Sequence, residues 1–438
     1  METLSFDREH PIAAPFKPLN CVNGGPWHKR HAIDQWRTNL AEYAAARIPY
    51  TRNHDSNLSG STYGGPYAID ITSVFPVFDA DPEDPASYDF ACTDESILVP
   101  LEAGTRTFYR LGQSIEHQIK KHGTIPPKDF HKWAVICEHI IRHYTEGWAD
   151  GLRLDMPYWE IWNEPDIDPE DSPNKKMWGG TRAQFFDFYE VAAKHLKGCF
   201  PHLKIGGPAL CGNENWAADF LAEMRRRGVG FDFFSWHIYT TDPRQIAAAA
   251  VRFRALLDQN GYTETESICN EWNYVKGWAE EYVYSLETIG NHKGAAFLLA
   301  TLCEGQHSPV DMLMYYDTRP SVFCGPFDYY TCRPRKPYYP LRWYGKFYDC
   351  TGELPCRSTV PDVYTLCGVD KDGKALLALA YYSDDDTAPD KTLTVELGAG
   401  RTYAVYRVDA AHNGEQTDTV TALQLTLSVN SCILIQEV

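Results

Sequence analysis

The sequence predicts an α/β fold, a (β/α)8 TIM barrel followed by a small antiparallel β-sandwich. Three observations carry that expectation. Short aromatic and β-branched runs alternate with helical patterns from about residue 19 to 345. After that the pattern changes to short alternating strands separated by turn residues. The fourth run, Tyr158–Asn163, stops at Glu164-Pro165, so a carboxylate stands at the C-terminal lip of a strand, where barrels do their chemistry.

The strand candidates, in order, are Leu19–Val22, Ile48–Arg52, Thr107–Leu111, Tyr158–Asn163, Leu203–Gly206, Phe231–Ile238, Glu266–Asn270 and Asp311–Tyr316. Helical patterns lie between them at Ala32–Ala46, Asp94–Ala103, Lys128–Tyr144, Thr181–Lys197, Trp216–Gly228, Pro243–Asn260 and Glu280–Glu304. Asp94 reads as an N-cap, and Gly104 as the residue that ends its helix. Proline biases Glu164 before it toward extended backbone. A doubly wound open sheet is the rival architecture, but Cys21-Val22-Asn23-Gly24-Gly25-Pro26 makes a poor phosphate turn.

The domain division follows. Residues 11–345 form the barrel and residues 346–438 the sandwich. Strands of the sandwich are read at Val363–Gly368, Ala375–Tyr382, Thr392–Leu397, Tyr403–Val408, Leu423–Leu427 and Cys432–Gln436. Residues 1–10 are expected to supply it with an edge strand.

Composition narrows the function. The 438 residues carry a formal net charge of −18, which argues against nucleic acid, an anionic membrane surface or a polyanionic substrate. Aromatic residues make up 13% of the chain, with 27 Tyr and 12 Trp, and rings form platforms for sugar faces as well as cores. The N-terminus has no basic, apolar leader, and no apolar run is long enough to span a membrane. The 13 Cys are odd in number and scattered, with no Cys-x-x-Cys pair, which fits reduced thiols in the cytoplasm rather than disulfides or a zinc site. A chain trimmed of its leader would be extracellular and would begin the same way. No metal or cofactor motif is present, and homo-oligomerisation is left open.

A carboxylate beside an amide at a barrel mouth points to carbohydrate chemistry, which needs one carboxyl to protonate a leaving oxygen and a second to attack carbon. Glu164, beside Asn163, is the first; Glu271, at the end of the seventh run, is the second. The fourth and seventh strands of a closed barrel face each other, so the pair is expected about 5 Å apart, the retaining separation. His237 and Tyr239, at the end of the sixth run, can hydrogen-bond carboxylates and hold their orientation. Ionised Glu271 is expected to raise the pKa of Glu164 by like-charge repulsion. Glu160 is better read as a barrel-interior carboxylate paired with an arginine such as Arg52, and Asp166 and Asp168 as turn-forming groups.

Five motifs come in order: Asn163-Glu164-Pro165-Asp166, Trp178-Gly179-Gly180-Thr181, Gly206-Gly207-Pro208-Ala209, the run Asp232 to Tyr239, and Asn270-Glu271-Trp272-Asn273. Together they resemble glycoside hydrolase family 39 of clan A, the family of bacterial β-xylosidases and animal α-L-iduronidases. Arg52-Asn53-His54-Asp55 and Tyr88-Asp89-Phe90 add weaker matches. The resemblance implies a retaining hydrolase of small glycosides with Glu164 as acid/base and Glu271 as nucleophile. By the same matching, Asn163, His54, His237, Tyr239 and Trp272 contact or orient the sugar. The chain departs from the family at Asn270, where Thr or Ser is usual, and Tyr274–Glu281 does not align. The substrate expectation is a β-D-xyloside or a related pentoside or hexoside. The alternatives are an α-L-arabinoside, an α-L-iduronide, or a silent glycan-binding barrel. The long Gly/Pro/Asp-rich stretch Asn57–Asp89 is expected to roof the mouth and favour exo action.

Overall fold

The computed structural model describes residues 2–13, 15–28, 38–55, 68–398 and 400–438. Residues 32–37 of the first expected helix and 57–67 of the expected roof lie outside the described residues. After β1 (Thr3–Phe6), a closed parallel barrel is formed by β2 (Cys21–Asn23), β3 (Tyr50–Arg52), β4 (Arg106–Leu111) and β5 (Tyr158–Ile161), then β6 (Lys204–Leu210), β7 (Phe233–Thr240), β8 (Glu266–Tyr274) and β9 (Met312–Tyr315). β9 pairs with β2 and closes the circle.

The barrel interior is layered by the two-residue period of its strands. The lower layer is apolar, with Cys21, Tyr50, Phe108, Tyr158, Phe233 and Ile268 in one cluster with Met312 and Met314. Gly206 leaves the room that Phe233 occupies, since a Cβ there would lie 2.6 Å from the phenyl ring. Two residues further along six of these strands, the same face carries Asn23, Arg52, Arg110, Glu160, Ser235 and Asn270, all fully buried. This polar layer is the floor of the mouth.

Helix Arg182–Cys199 begins with a capping box between Thr181 and Gln184, and helix Phe130–Thr145 with Asp129 accepting from the Lys132 amide. Helix Ala91–Glu102 starts one turn before the Asp94 expected to cap it. Asp89 accepts from the Ala91 amide at 3.1 Å, and Asp94 instead meets His143 Nε2 at 3.0 Å. The helical pattern expected over Glu280–Glu304 is two helices, Tyr282–Ile289 and His292–Gln306. Gly290 intervenes, and Asn291 caps the second through the Lys293 and Gly294 amides.

Helix Tyr338–Lys346 leads to β10 (Cys350–Glu353), β11 (Cys356–Ser358), β12 (Val363–Asp370), β13 (Ala375–Tyr381), β14 (Lys391–Val395), β15 (Tyr403–Val408), β16 (Asn413–Val420), β17 (Leu423–Leu427) and β18 (Ser431–Glu437). Two sheets result, β11-β1-β14-β17 and β10-β12-β13-β18-β15-β16. The N-terminal strand is not an edge strand: β1 lies between β11, antiparallel, and β14, parallel. Leu4, Leu377, Leu379, Val405, Leu425 and Ile433 fill the space between the sheets. The outer face of the larger sheet packs on helix His292–Gln306, where Phe297 meets Tyr382 with ring centroids 5.5 Å apart. That helix is buried on the barrel side and the sandwich side alike, which is why its sequence is apolar nearly all round.

Candidate active site

Strict alternation would send Glu271 outward, because Asn270 before it points into the barrel. A β-bulge prevents this. Trp236 pairs with Cys269, but His237 pairs with Glu271, so β8 carries one extra residue at Asn270. Asn270 therefore turns inward to donate to Glu160 Oε1, and Glu271 also faces the interior. Beyond the bulge the alternation resumes one residue out of step. Trp272 faces the helix layer, fully buried against Tyr315 (5.3 Å between centroids) and Phe297 (6.2 Å). The expectation that Trp272 contacts substrate is corrected accordingly: it is a core residue.

Glu164 is placed by a second local departure. β5 ends at Ile161, Trp162 and Glu164 have φ of +73° and +43°, and the Glu164 amide donates to Ala209 O at 2.8 Å. The backbone at Glu164 is therefore left-handed, not extended as Pro165 led one to expect. Such strain is held by surrounding bonds and gathers at functional sites.

Arg52 joins the pieces. Its fully buried guanidinium donates from Nε to Glu160 Oε2 at 2.7 Å, from Nη1 to Glu271 Oε1 at 2.7 Å, and from Nη2 to Asn163 Oδ1 at 2.6 Å. Glu160 also accepts from Ser235 Oγ at 2.6 Å, so its oxygens are engaged within the barrel. Glu271 receives the Tyr239 hydroxyl on Oε2 at 2.8 Å. His237 Nδ1 lies 2.7 Å from Glu164 Oε1 and 3.5 Å from Glu271 Oε2. Since two carboxyl oxygens face Nδ1, the ring proton belongs there. Carboxylate oxygens of Glu164 and Glu271 and a ring nitrogen of His237 all lie within 4.8 Å of one another.

His54 faces the same space. Arg110 Nε donates to its Nδ1 at 3.1 Å, which leaves the proton on Nε2, 3.7 Å from Asp55 Oδ1 and 4.0 Å from Glu271 Oε1. Asp55 in turn receives the Tyr316 hydroxyl at 2.8 Å. Asn163 has its carbonyl fixed by Arg52 while its buried Nδ2 has no protein partner. Asp166 accepts from the Cys211 amide at 2.8 Å and Asp168 from the Lys176 amide at 2.5 Å; both shape the loop after β5.

Burial dominates the electrostatics. It pushes the Glu164 carboxyl up to about 7, against the pull of Arg52 and with a smaller push from Asp55. Desolvation thus leads, where repulsion from Glu271 was expected. Burial also raises Glu271, opposed by His237 and Arg52. The His237 imidazole is held down to about 4 by burial, so it is neutral at neutral pH. The site holds one carboxyl poised to carry a proton and one anchored by a guanidinium.

Glu164, Glu271, Asn163, His54, His237 and Tyr239 are thus brought together, and Trp272 is not. The central part taken by Arg52 was missed from the sequence, although its place in Arg52-Asn53-His54-Asp55 at a strand end was the available signal.

The family model described as glycosyl hydrolases family 39 matches residues 69–265, a stretch that contains Glu164, His237 and Tyr239 and ends before Glu271. Over that stretch the chain is similar to glycosyl hydrolase family 39. A beta-xylosidase of Geobacillus stearothermophilus is 30% identical over 185 residues, 39% of this chain and 34% of that protein. A beta-xylosidase of Caldicellulosiruptor saccharolyticus is 28% identical over 36% of this chain and 32% of its own length. The chain thus spans about a third of the curated relatives it matches. A glucosidase from Croceicoccus marinus superposes with a TM-score of 0.79 at 24% identity, covering 100% of this chain and 99% of that one, which is a likeness of fold.

Proposed function

We propose that this chain is a retaining glycoside hydrolase, acting on the terminal sugar of a β-D-xyloside or a related pentoside or hexoside. The observation that carries the proposal is the spacing of Glu164 and Glu271, with carboxyl oxygens within 4.8 Å. Retaining enzymes hold their two carboxyls ~5 to 5.5 Å apart, whereas inverting ones leave ~6.5 to 9.5 Å for a water.

In this reading Glu271, held by Arg52 and Tyr239, attacks the anomeric carbon as Glu164 protonates the departing oxygen. The glycosyl-enzyme ester that forms is then opened by a water from which Glu164 takes a proton. His237 Nδ1–H steadies Glu164 Oε1, so the acid proton rides on the other oxygen. The free amide of Asn163 offers a donor to a sugar hydroxyl, with Arg52 preventing its rotation.

Turnover of p-nitrophenyl β-D-xyloside, β-D-glucoside, α-L-arabinoside and α-L-iduronide tests the reading. Hydrolysis of at least one, with the first product retaining its anomeric configuration by proton NMR, is expected. Binding without turnover of any would favour a silent glycan-binding barrel, and an inverted first product would remove the double displacement.

A further inference from the structure

The loop after β8, residues 275–281, carries an exposed tryptophan. Trp278 is 62% exposed. Its ring stacks near Phe323 (6.0 Å, 18°) and near Tyr282 (6.0 Å, 27°). Phe323 and Tyr282 are themselves only 6.2 Å apart, so they cluster beside the indole. With the side chain 62% exposed, much of the ring stays open. Trp278 and Tyr239 cross nearly at right angles with centroids 5.2 Å apart (78°), and Tyr239 bonds Glu271. Only the Tyr239 ring therefore stands between the indole and the nucleophile.

The β-sandwich holds this loop in place. Lys293, only 3% exposed, donates to Asp384 O at 2.7 Å, to Asp386 Oδ1 at 2.9 Å and to the Tyr284 hydroxyl at 2.8 Å. Tyr284 donates to Asp386 Oδ2, and Lys276 reaches Asp384 Oδ2 at 3.2 Å. Asp384 and Asp386 lie in the sandwich loop after β13, whereas Lys276 lies in the Trp278 loop and Tyr284 in the helix that follows it. A buried ammonium with two carboxylates is a costly arrangement that is kept only when well bonded, and here it ties the two domains at the mouth.

We propose that Trp278 is the platform on which the glycone ring of a neutral pentoside or hexoside stacks, braced by the sandwich through Lys293, Asp384 and Asp386. The inference rests on the glycosidase reading above. An indole face offers flat apolar area to the C–H face of a sugar at little cost in side-chain entropy, and the acidic chain disfavours an anionic occupant. Such a platform binds ground state and transition state alike, so its loss raises KM and spares kcat.

The test is steady-state kinetics of Trp278→Ala, Trp278→Phe and Asp386→Asn with p-nitrophenyl β-D-xyloside and xylobiose, or the aryl glycoside and disaccharide of whichever glycone the panel selects. We expect Trp278→Ala to raise KM at least tenfold on both substrates with kcat within threefold. Trp278→Phe should recover most of that, and Asp386→Asn should raise KM severalfold. An unchanged KM in an active Trp278→Ala enzyme overturns the platform alone. A rise confined to the disaccharide overturns the glycone assignment, because only the leaving sugar would then touch the ring. If the wild type turns over none of the panel, the glycosidase reading itself fails and the platform falls with it.

Discussion

Arg52 donates from Nη1 to Glu271 Oε1 at 2.7 Å, and neither side chain is more than 7% exposed. The same guanidinium spans Glu160 and Asn163, so one cation sets the position of the nucleophile and of the amide beside the acid. Lysine is a single point of charge and cannot reproduce that fork. Arg52→Lys should therefore lower kcat/KM by about 100-fold or more and destabilise the fold by about 3 to 5 kcal/mol, the cost of leaving a buried carboxylate unpaired. Kinetics and urea unfolding measure the two effects. Wild-type kinetics in Arg52→Lys would mean that Glu271 does not depend on the guanidinium.

Glu164 should show itself by leaving-group dependence. Glu164→Ala is expected to lose turnover on natural glycosides about 100-fold or more beyond its loss on activated aryl glycosides, whose leaving groups need little protonation. Azide should partly restore the aryl reaction and yield a glycosyl azide. Equal losses on both substrates, with no azide product, would move the proton-donor role to another residue.

The raised pKa of Glu164 also bears on stability. Its folded value of about 7 exceeds the ordinary 4.5 of a free glutamate. Between those values the folded state binds more protons than the unfolded one, so stability falls as pH rises, by about 3 kcal/mol in all at ~1.4 kcal/mol per pH unit. Glu164→Gln should remove that slope and be the more stable protein at pH 8. The hydrolytic rate of the wild type should decline as pH rises through about 7, where the acid ionises. Urea midpoints at pH 5 and 8 decide the matter; a wild type that gains stability with pH would contradict the assignment.

Much of this architecture was legible because barrel strands announce themselves by their alternation with helices, and because Glu164 follows β5 closely while Glu271 lies in the second half of β8. What alternation alone could not reveal is where it breaks. The bulge at Asn270 decides that Glu271 faces in and Trp272 faces out, and it arises from pairing with β7, which no local pattern of β8 encodes. The left-handed turn at Glu164 is likewise fixed by the Ala209 carbonyl, far along the chain. β16 escaped notice because its residues are polar and mostly exposed, as an edge strand's are. Arg52 was placed correctly beside Glu160, but its reach to Glu271 depends on three strands meeting in space.

The most direct test of the two-glutamate account is trapping of the covalent intermediate. A 2-deoxy-2-fluoro glycoside with an activated leaving group, of the glycone the enzyme accepts, slows hydrolysis of the ester more than its formation. Peptide mapping by mass spectrometry then locates the sugar. The account predicts stoichiometric labelling of Glu271, loss of labelling in Glu271→Gln, and persistence in Glu164→Gln with an activated leaving group. Labelling at Glu160 or Glu266, or turnover of the substrate with no adduct on any residue, would contradict it.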